Sequence, residues 1–112
     1  MNPSPIDANT LAELKAAAGD EFIDELIGTF FEEAPLLLNE LRTARAVSAS
    51  ERFKRAAHSL KTNAQTFGAF HLGDVARALE LGGLPAADDG TLDALNAAYA
   101  AAERALQAMR HE

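Results

Sequence analysis

Apolar residues recur along this chain at spacings that alternate between three and four. Ile23, Leu26, Ile27, Phe30, Ala34, Leu37 and Leu41 form one such series, and Leu92, Leu95, Tyr99, Ala102, Leu106 and Met109 form another. At about 3.6 residues per turn, this spacing keeps every member on one face of a helix, whereas a half-buried strand would alternate by two. The residue types agree with the spacing. Alanine fills 25 positions, while Val, Ile and Thr together fill 11. Alanine is the best helix former, β-branched residues favour strands, and small side chains let helices approach closely. A chain of 112 residues, 48% of them hydrophobic, suits a single all-α domain with one core.

The punctuation divides the chain into five helices. Residues 1–8 read as a leader, with helices expected at about 10–18, 20–46, 49–67, 70–81 and 91–110. Thr10 and Glu13 have capping-box spacing, and Gly19 is a stop. Asp20, Glu21, Asp24 and Glu25 suit the positive end of the second helix dipole. Pro35 removes a backbone donor inside that helix, but the apolar stripe keeps its phase across it, which predicts one bent helix rather than two. Ser48 and Glu51 offer a second capping box, and Gly68 a left-handed terminus. Long helices with short connections predict a monomeric, antiparallel up-and-down four-helix bundle, with the short first helix covering one end.

Several function classes are excluded by composition. There is no cysteine, so disulfides, thiolate metal sites and thiol catalysis are absent. His71 and His111 are not at helical metal-ligand spacing from His58, and no metal site is expected. The first residues lack the basic and apolar regions of a signal peptide, and no apolar run approaches the ~18 residues of a membrane span. A cytoplasmic protein without a membrane partner is expected. The net charge of −7 argues against nucleic-acid binding. That charge is unevenly spread. From Arg52 to Gly73 there are four basic residues (Arg52, Lys54, Arg55, Lys61) and no acidic one. A basic island in an acidic chain suits an anionic ligand or an acidic partner surface.

The island coincides with the third helix. On a helical wheel, Phe53, Ala57, Leu60, Ala64 and Phe67 cluster on one side, and His58 points about 140° away from them. It is therefore expected to be exposed. Lys54, Arg55, Lys61, Thr62 and Gln65 surround it, with no carboxylate on the same face of that helix. A phosphoryl group on the imidazole would meet cations and donors, and a neutral imidazole has a nitrogen lone pair for nucleophilic attack.

Ala57-His58-Ser59-Leu60-Lys61, followed by Phe67-Gly68-Ala69 and then Leu79-Glu80, resembles the histidine-containing phosphotransfer (HPt) family. Leu11, Leu14, Gly19, Phe22, Leu26, Phe30 and Pro35 extend the resemblance upstream, so that it covers about residues 7 to 109. The resemblance implies that His58 is the phosphorylated residue and that Lys61 helps hold the phosphoryl oxygens. It implies that Glu80 bonds the other ring nitrogen and fixes the tautomer. Gln65 would contact the phosphoryl group or the partner. Lys54, Arg55 and Thr62 are candidate partner contacts. Thr62 departs from the glycine most frequent at that position in the family, which puts the fit of the partner in question. The implied partners are response-regulator receiver domains or a hybrid histidine kinase. The implied magnesium ion and acidic pocket belong to the receiver, so this chain carries no cofactor and no kinase or ATPase activity of its own.

Plainer readings stand beside these. Glu80 could form a surface salt bridge with Arg77 or Arg104, and Gln65 could be merely solvated. The bundle could be a non-catalytic adaptor, the substrate domain of a chemotaxis-type histidine kinase, or an oligomerising structural element.

Overall fold

The computed structural model describes residues 4–110. It contains α1 (Ala8–Ala18), α2 (Asp20–Ala46), α3 (Ser50–Thr66), α4 (Phe70–Gly82) and α5 (Asp89–Arg110), with a 3-10 turn at Leu84–Ala86 before α5. No strand occurs among the described residues. Consecutive helices pack in the order α2, α3, α4, α5, and α5 returns to α2, which closes an up-and-down four-helix bundle. α1 lies against α2. No helix among the described residues is long and apolar enough to cross a membrane.

The stripes seen in the sequence form the core. Ile23, Ile27, Phe30, Ala34 and Leu41 are buried from α2, as are Phe53, Ala57, Leu60 and Ala64 from α3. Leu72 and Leu79 come from α4, and Leu95, Tyr99, Ala102 and Leu106 from α5. Leu26, Leu37, Val75 and Met109, on the same stripes, are half-buried against this core. Phe30 stands at its centre, its ring centroid 5.1 Å from Phe67 and 5.8 Å from Tyr99. α2 runs unbroken through Pro35. The proline is exposed, while Ala34 and Leu41 on either side of it are buried, so the stripe holds the helix together across the missing donor.

The helix ends differ from the capping expected of the sequence. Asp7, not Thr10, caps α1: its Oδ2 accepts from the Thr10 amide at 3.0 Å and the Thr10 hydroxyl at 2.6 Å. The Thr10 hydroxyl bond, then the amide bond, hold the Asp7 carboxyl below the usual Asp range. A carboxylate immediately before the first turn outcompetes the hydroxyl, and the helix starts at Ala8. The Ser48–Glu51 box is not formed. Ser48 instead adopts φ 55° and terminates α2, with its amide on the Arg45 carbonyl at 3.1 Å and the Ala49 amide on the Ala44 carbonyl at 2.8 Å. α3 then begins at Ser50 with no side-chain cap. Asp88 Oδ1 accepts from the Thr91 amide at 2.7 Å, and α5 starts at Asp89, two residues before the expected Thr91.

The turn between α3 and α4 is the one expected at Gly68. Gly68 has φ 78°, its amide bonds to the Gln65 carbonyl, and the Ala69 amide reaches the Ala64 carbonyl at 2.8 Å. This pair of bonds is the Schellman motif. The Gly68 carbonyl also accepts from the Asp7 amide at 2.8 Å, which ties the start of α1 to the turn.

Two of the positive-φ positions, Ser48 and Gly68, give opposite expectations. Ser48→Gly relieves a strained backbone in open surroundings and should raise stability by about 0.5–1 kcal/mol. Gly68→Ala adds a Cβ only 3.0 Å from the Asp7 carbonyl oxygen at φ 78° and should lower it by about 1–3 kcal/mol. Urea denaturation midpoints of the two variants check both signs.

Candidate functional site

The site is set by how closely α3 and α4 approach. A Cβ on Gly73 would lie 3.3 Å from Gln65 Cγ and 3.7 Å from Ala64 Cβ, so the absent side chain is what lets the helices meet there. The helices are antiparallel across the Gly68 turn. Seven residues back along α3 from Gln65 is His58, and seven on along α4 from Gly73 is Glu80. Both moves are two turns, about 10 Å, in the same direction through the bundle. The register therefore delivers Glu80 to His58. Leu60 and Leu79, fully buried beside them, fix the two helix faces from below.

Glu80 bridges both residues of the α3 pair. Its Oε2 lies 2.6 Å from His58 Nδ1, and its Oε1 accepts from Lys61 Nζ at 2.8 Å. Neither Arg77 nor Arg104 pairs with it. The Lys61 bond, and then the bond and charge of His58, hold the Glu80 carboxyl below the usual Glu range against the opposing effect of desolvation. An ionised carboxylate can only accept hydrogen bonds. Nδ1 must then carry a proton and donate it, so that whenever the ring is neutral its lone pair lies on Nε2. The His58 side chain is 57% exposed, so this nitrogen is accessible. Lys61 is 19% exposed, its stem packed and its amine turned to Glu80.

The other residues singled out from the sequence divide between two flanks. Lys54 lies on the α4 side, its stem against Gly83. Thr62 and Arg55 lie on the α2 side. There His58 borders an open groove of about 470 Å³, walled by Glu33, Leu36 and Leu37 from α2 and by Ser59, Thr62 and Asn63 from α3. A smaller groove continues it past Leu37 and Ser59 to Arg55. Gln65 is not brought into the Glu80 cluster; it packs against Gly73, two turns from His58. His71 borders a separate hollow with Asp7 and Asp74, and His111 lies outside the described residues. Leu36 and Asn63 were missed in the sequence. Leu36 had a legible signal: it is a large apolar residue off the α2 stripe, and its side is left to solvent.

The bridge predicts a defined tautomer. Long-range ¹H–¹⁵N spectra of wild type at neutral pH should show the His58 proton on Nδ1, and Glu80→Ala should release the ring to a mixture. The pH dependence has one sign. Because the folded Glu80 carboxyl titrates below its ordinary 4.5, its stabilising effect is complete above that value and is lost as pH falls through the depressed one. The stability gap between wild type and Glu80→Gln, measured by urea titration, should therefore narrow as pH falls below about 4.5.

Comparison with known proteins places this geometry. The chain is similar to Sensor protein TorS of Escherichia coli (strain K12), with 39% identity over 67 residues. That stretch is 60% of this chain and 7% of the relative, so the chain corresponds to a small part of that protein's length. No solved structure matches. The family model described as Hpt domain matches residues 25–111, which takes in His58, Lys61, Glu80 and all four helices of the bundle from within α2 onward. With most of its length matched and a helical bundle for its fold, the chain belongs to the Hpt domain family, whose general role is phosphotransfer in two-component signalling.

Proposed function

We propose that this protein is a phosphorelay intermediate in which His58 Nε2 accepts a phosphoryl group from the aspartate of one receiver domain and yields it to the aspartate of another. The observation that carries this reading is the Glu80 carboxylate 2.6 Å from Nδ1, which occupies one ring nitrogen and leaves the other exposed. In the forward step the Nε2 lone pair attacks phosphorus. An N–P bond forms, the P–O bond to the aspartate breaks, and the aspartate leaves as a carboxylate. Nδ1 keeps its proton, so the ring becomes cationic as the bond forms, and Glu80 is already placed to offset that charge. The reverse attack by a second carboxylate restores the neutral ring.

Lys61 has two roles in this scheme. In the resting state it holds Glu80 through Oε1. Its ammonium has three donors, and one turn separates it from His58, so it also serves an arriving phosphoryl oxygen. The receiver supplies the magnesium ion and the acidic pocket around its own aspartate. Positioning on this side and charge stabilisation on the other account for transfer without a kinase or ATPase function in this chain. The similarity to a sensor protein supports a receiver or a hybrid histidine kinase as the source of the phosphoryl group.

Wild type, His58→Gln and Lys61→Ala are to be incubated with a phosphorylated receiver or with phosphoramidate, and read by intact mass under neutral conditions. Wild type should gain one acid-labile phosphate and His58→Gln none. Lys61→Ala should be slower by roughly 10- to 100-fold, the worth of one charge-assisted hydrogen bond. A folded wild type that takes phosphate from no donor would instead favour a docking adaptor.

A further inference from the structure

Lys61 and Thr62 are the two residues one turn beyond His58 on α3. At about 100° per residue they flank the histidine, Lys61 about 60° to one side and Thr62 about 40° to the other. The two side chains are used differently. Lys61 turns to α4 and gives its amine to Glu80 at 2.8 Å. Thr62 is exposed and lines the α2-side groove together with His58. Its hydroxyl is uncommitted. A threonine inside a helix can return its hydroxyl to the carbonyl four residues back. Thr29 and Thr66 do so, onto the Glu25 and Thr62 carbonyls, each at 3.0 Å. Thr62 makes no such bond to the His58 carbonyl, and its hydroxyl has no partner among the described residues.

We infer that Thr62 is a phosphoryl ligand: when His58 Nε2 carries a phosphoryl group, the Thr62 hydroxyl donates a hydrogen bond to one of its non-bridging oxygens. The inference rests on His58 Nε2 being the phosphoryl acceptor. Glu80 holds Nδ1 from the α4 side, and the two ring nitrogens bond in diverging directions, so Nε2 is turned away from α4. A phosphoryl group there adds three acceptor oxygens beside the groove that His58 and Thr62 share. The other polar side chains on that wall are less well placed. Ser59 lies about 100° around the helix from His58, and Asn63 is turned to Glu33, with Nδ2 3.4 Å from Oε2. A hydroxyl rotates to suit its acceptor, and a bond to a charged oxygen is stronger than one between neutral groups. No proton is transferred, and the N–P bond is made and broken as before. Thr62 and His58 share one helix, so the bond is best when phosphorus is on Nε2 and lengthens as the group departs. The hydroxyl therefore favours the phosphorylated state and slows its loss to water.

Three substitutions separate the hydroxyl from its bulk. Thr62→Val keeps the shape and loses the donor, Thr62→Ser keeps the donor, and Thr62→Gly removes both. Wild type and the three variants are to be phosphorylated with phosphoramidate, desalted, and followed by intact mass at neutral pH, with a ³¹P spectrum of each phosphorylated form. The phosphohistidine half-life should fall about tenfold in Thr62→Val and in Thr62→Gly, the worth of one hydrogen bond to a charged oxygen, and stay near the wild-type value in Thr62→Ser. The ³¹P resonance should move in Thr62→Val and hold in Thr62→Ser. Urea midpoints of the unphosphorylated proteins should not follow the half-lives, because the bond exists only in the phosphorylated state. A wild-type half-life and resonance in Thr62→Val would overturn the inference. So would a loss in Thr62→Ser as large as that in Thr62→Val, or a wild-type half-life in Thr62→Gly, since neither follows the hydroxyl. A folded wild type that takes no phosphate would instead remove the acceptor reading itself, and this inference with it.

Discussion

One carboxylate organises this molecule's chemistry. Glu80 reaches across from α4 and takes two side chains of α3, the His58 imidazole through Oε2 and the Lys61 amine through Oε1. Without it, His58 would be a surface histidine free to rotate and to carry its proton on either nitrogen. The bridge fixes ring orientation and tautomer together, and it places a carboxylate charge beside the ring. Everything that positions Glu80 is therefore part of the site. That includes Gly73, whose missing Cβ sets the α3–α4 spacing, and Gly68, whose left-handed turn sets their register.

The bundle separates the tasks of a carrier between its faces. The α3 stripe of Phe53, Ala57, Leu60 and Ala64 belongs to the core and holds the helix still. The α4 flank orients His58 through Glu80. The α2 flank stays open, with Leu36 and Thr62 on either side of a groove that ends at the ring. The proposed carrier role asks for a reactive atom held steady yet open to two partners in turn, and an enclosed pocket would defeat the second requirement. Exposure at His58 and partial burial at Lys61 meet both needs within one helical turn.

Much of this was legible in the sequence because it depends on periodicity. The stripes of α2 and α5 identified the core, and the off-stripe position of His58 identified an exposed side chain. Gly68 was readable because a left-handed terminus has a strong residue preference. The caps at Asp7 and Ser48 were not. Capping boxes are short patterns, and Thr10 and Ser48 satisfied them in sequence while a better acceptor and the end of α2 decided the outcome in space. The choice of Glu80's partners was open for a similar reason. Arg77 and Arg104 were as plausible as His58 until the α3–α4 register was known, and that register depends on a close contact at Gly73 that no pattern announces. The groove was invisible for the same cause: it belongs to two helices, and its depth follows from their packing.

The central claim is that Glu80 reserves Nδ1 and directs chemistry to Nε2. The most direct test is to phosphorylate ¹⁵N-histidine-labelled protein and read the ³¹P–¹⁵N coupling at His58. The geometry requires the phosphorus to be bonded to Nε2, with the proton retained on Nδ1 and still donated to Glu80. Phosphorus on Nδ1 would contradict it, because that atom could then not be the donor that holds the ring in place.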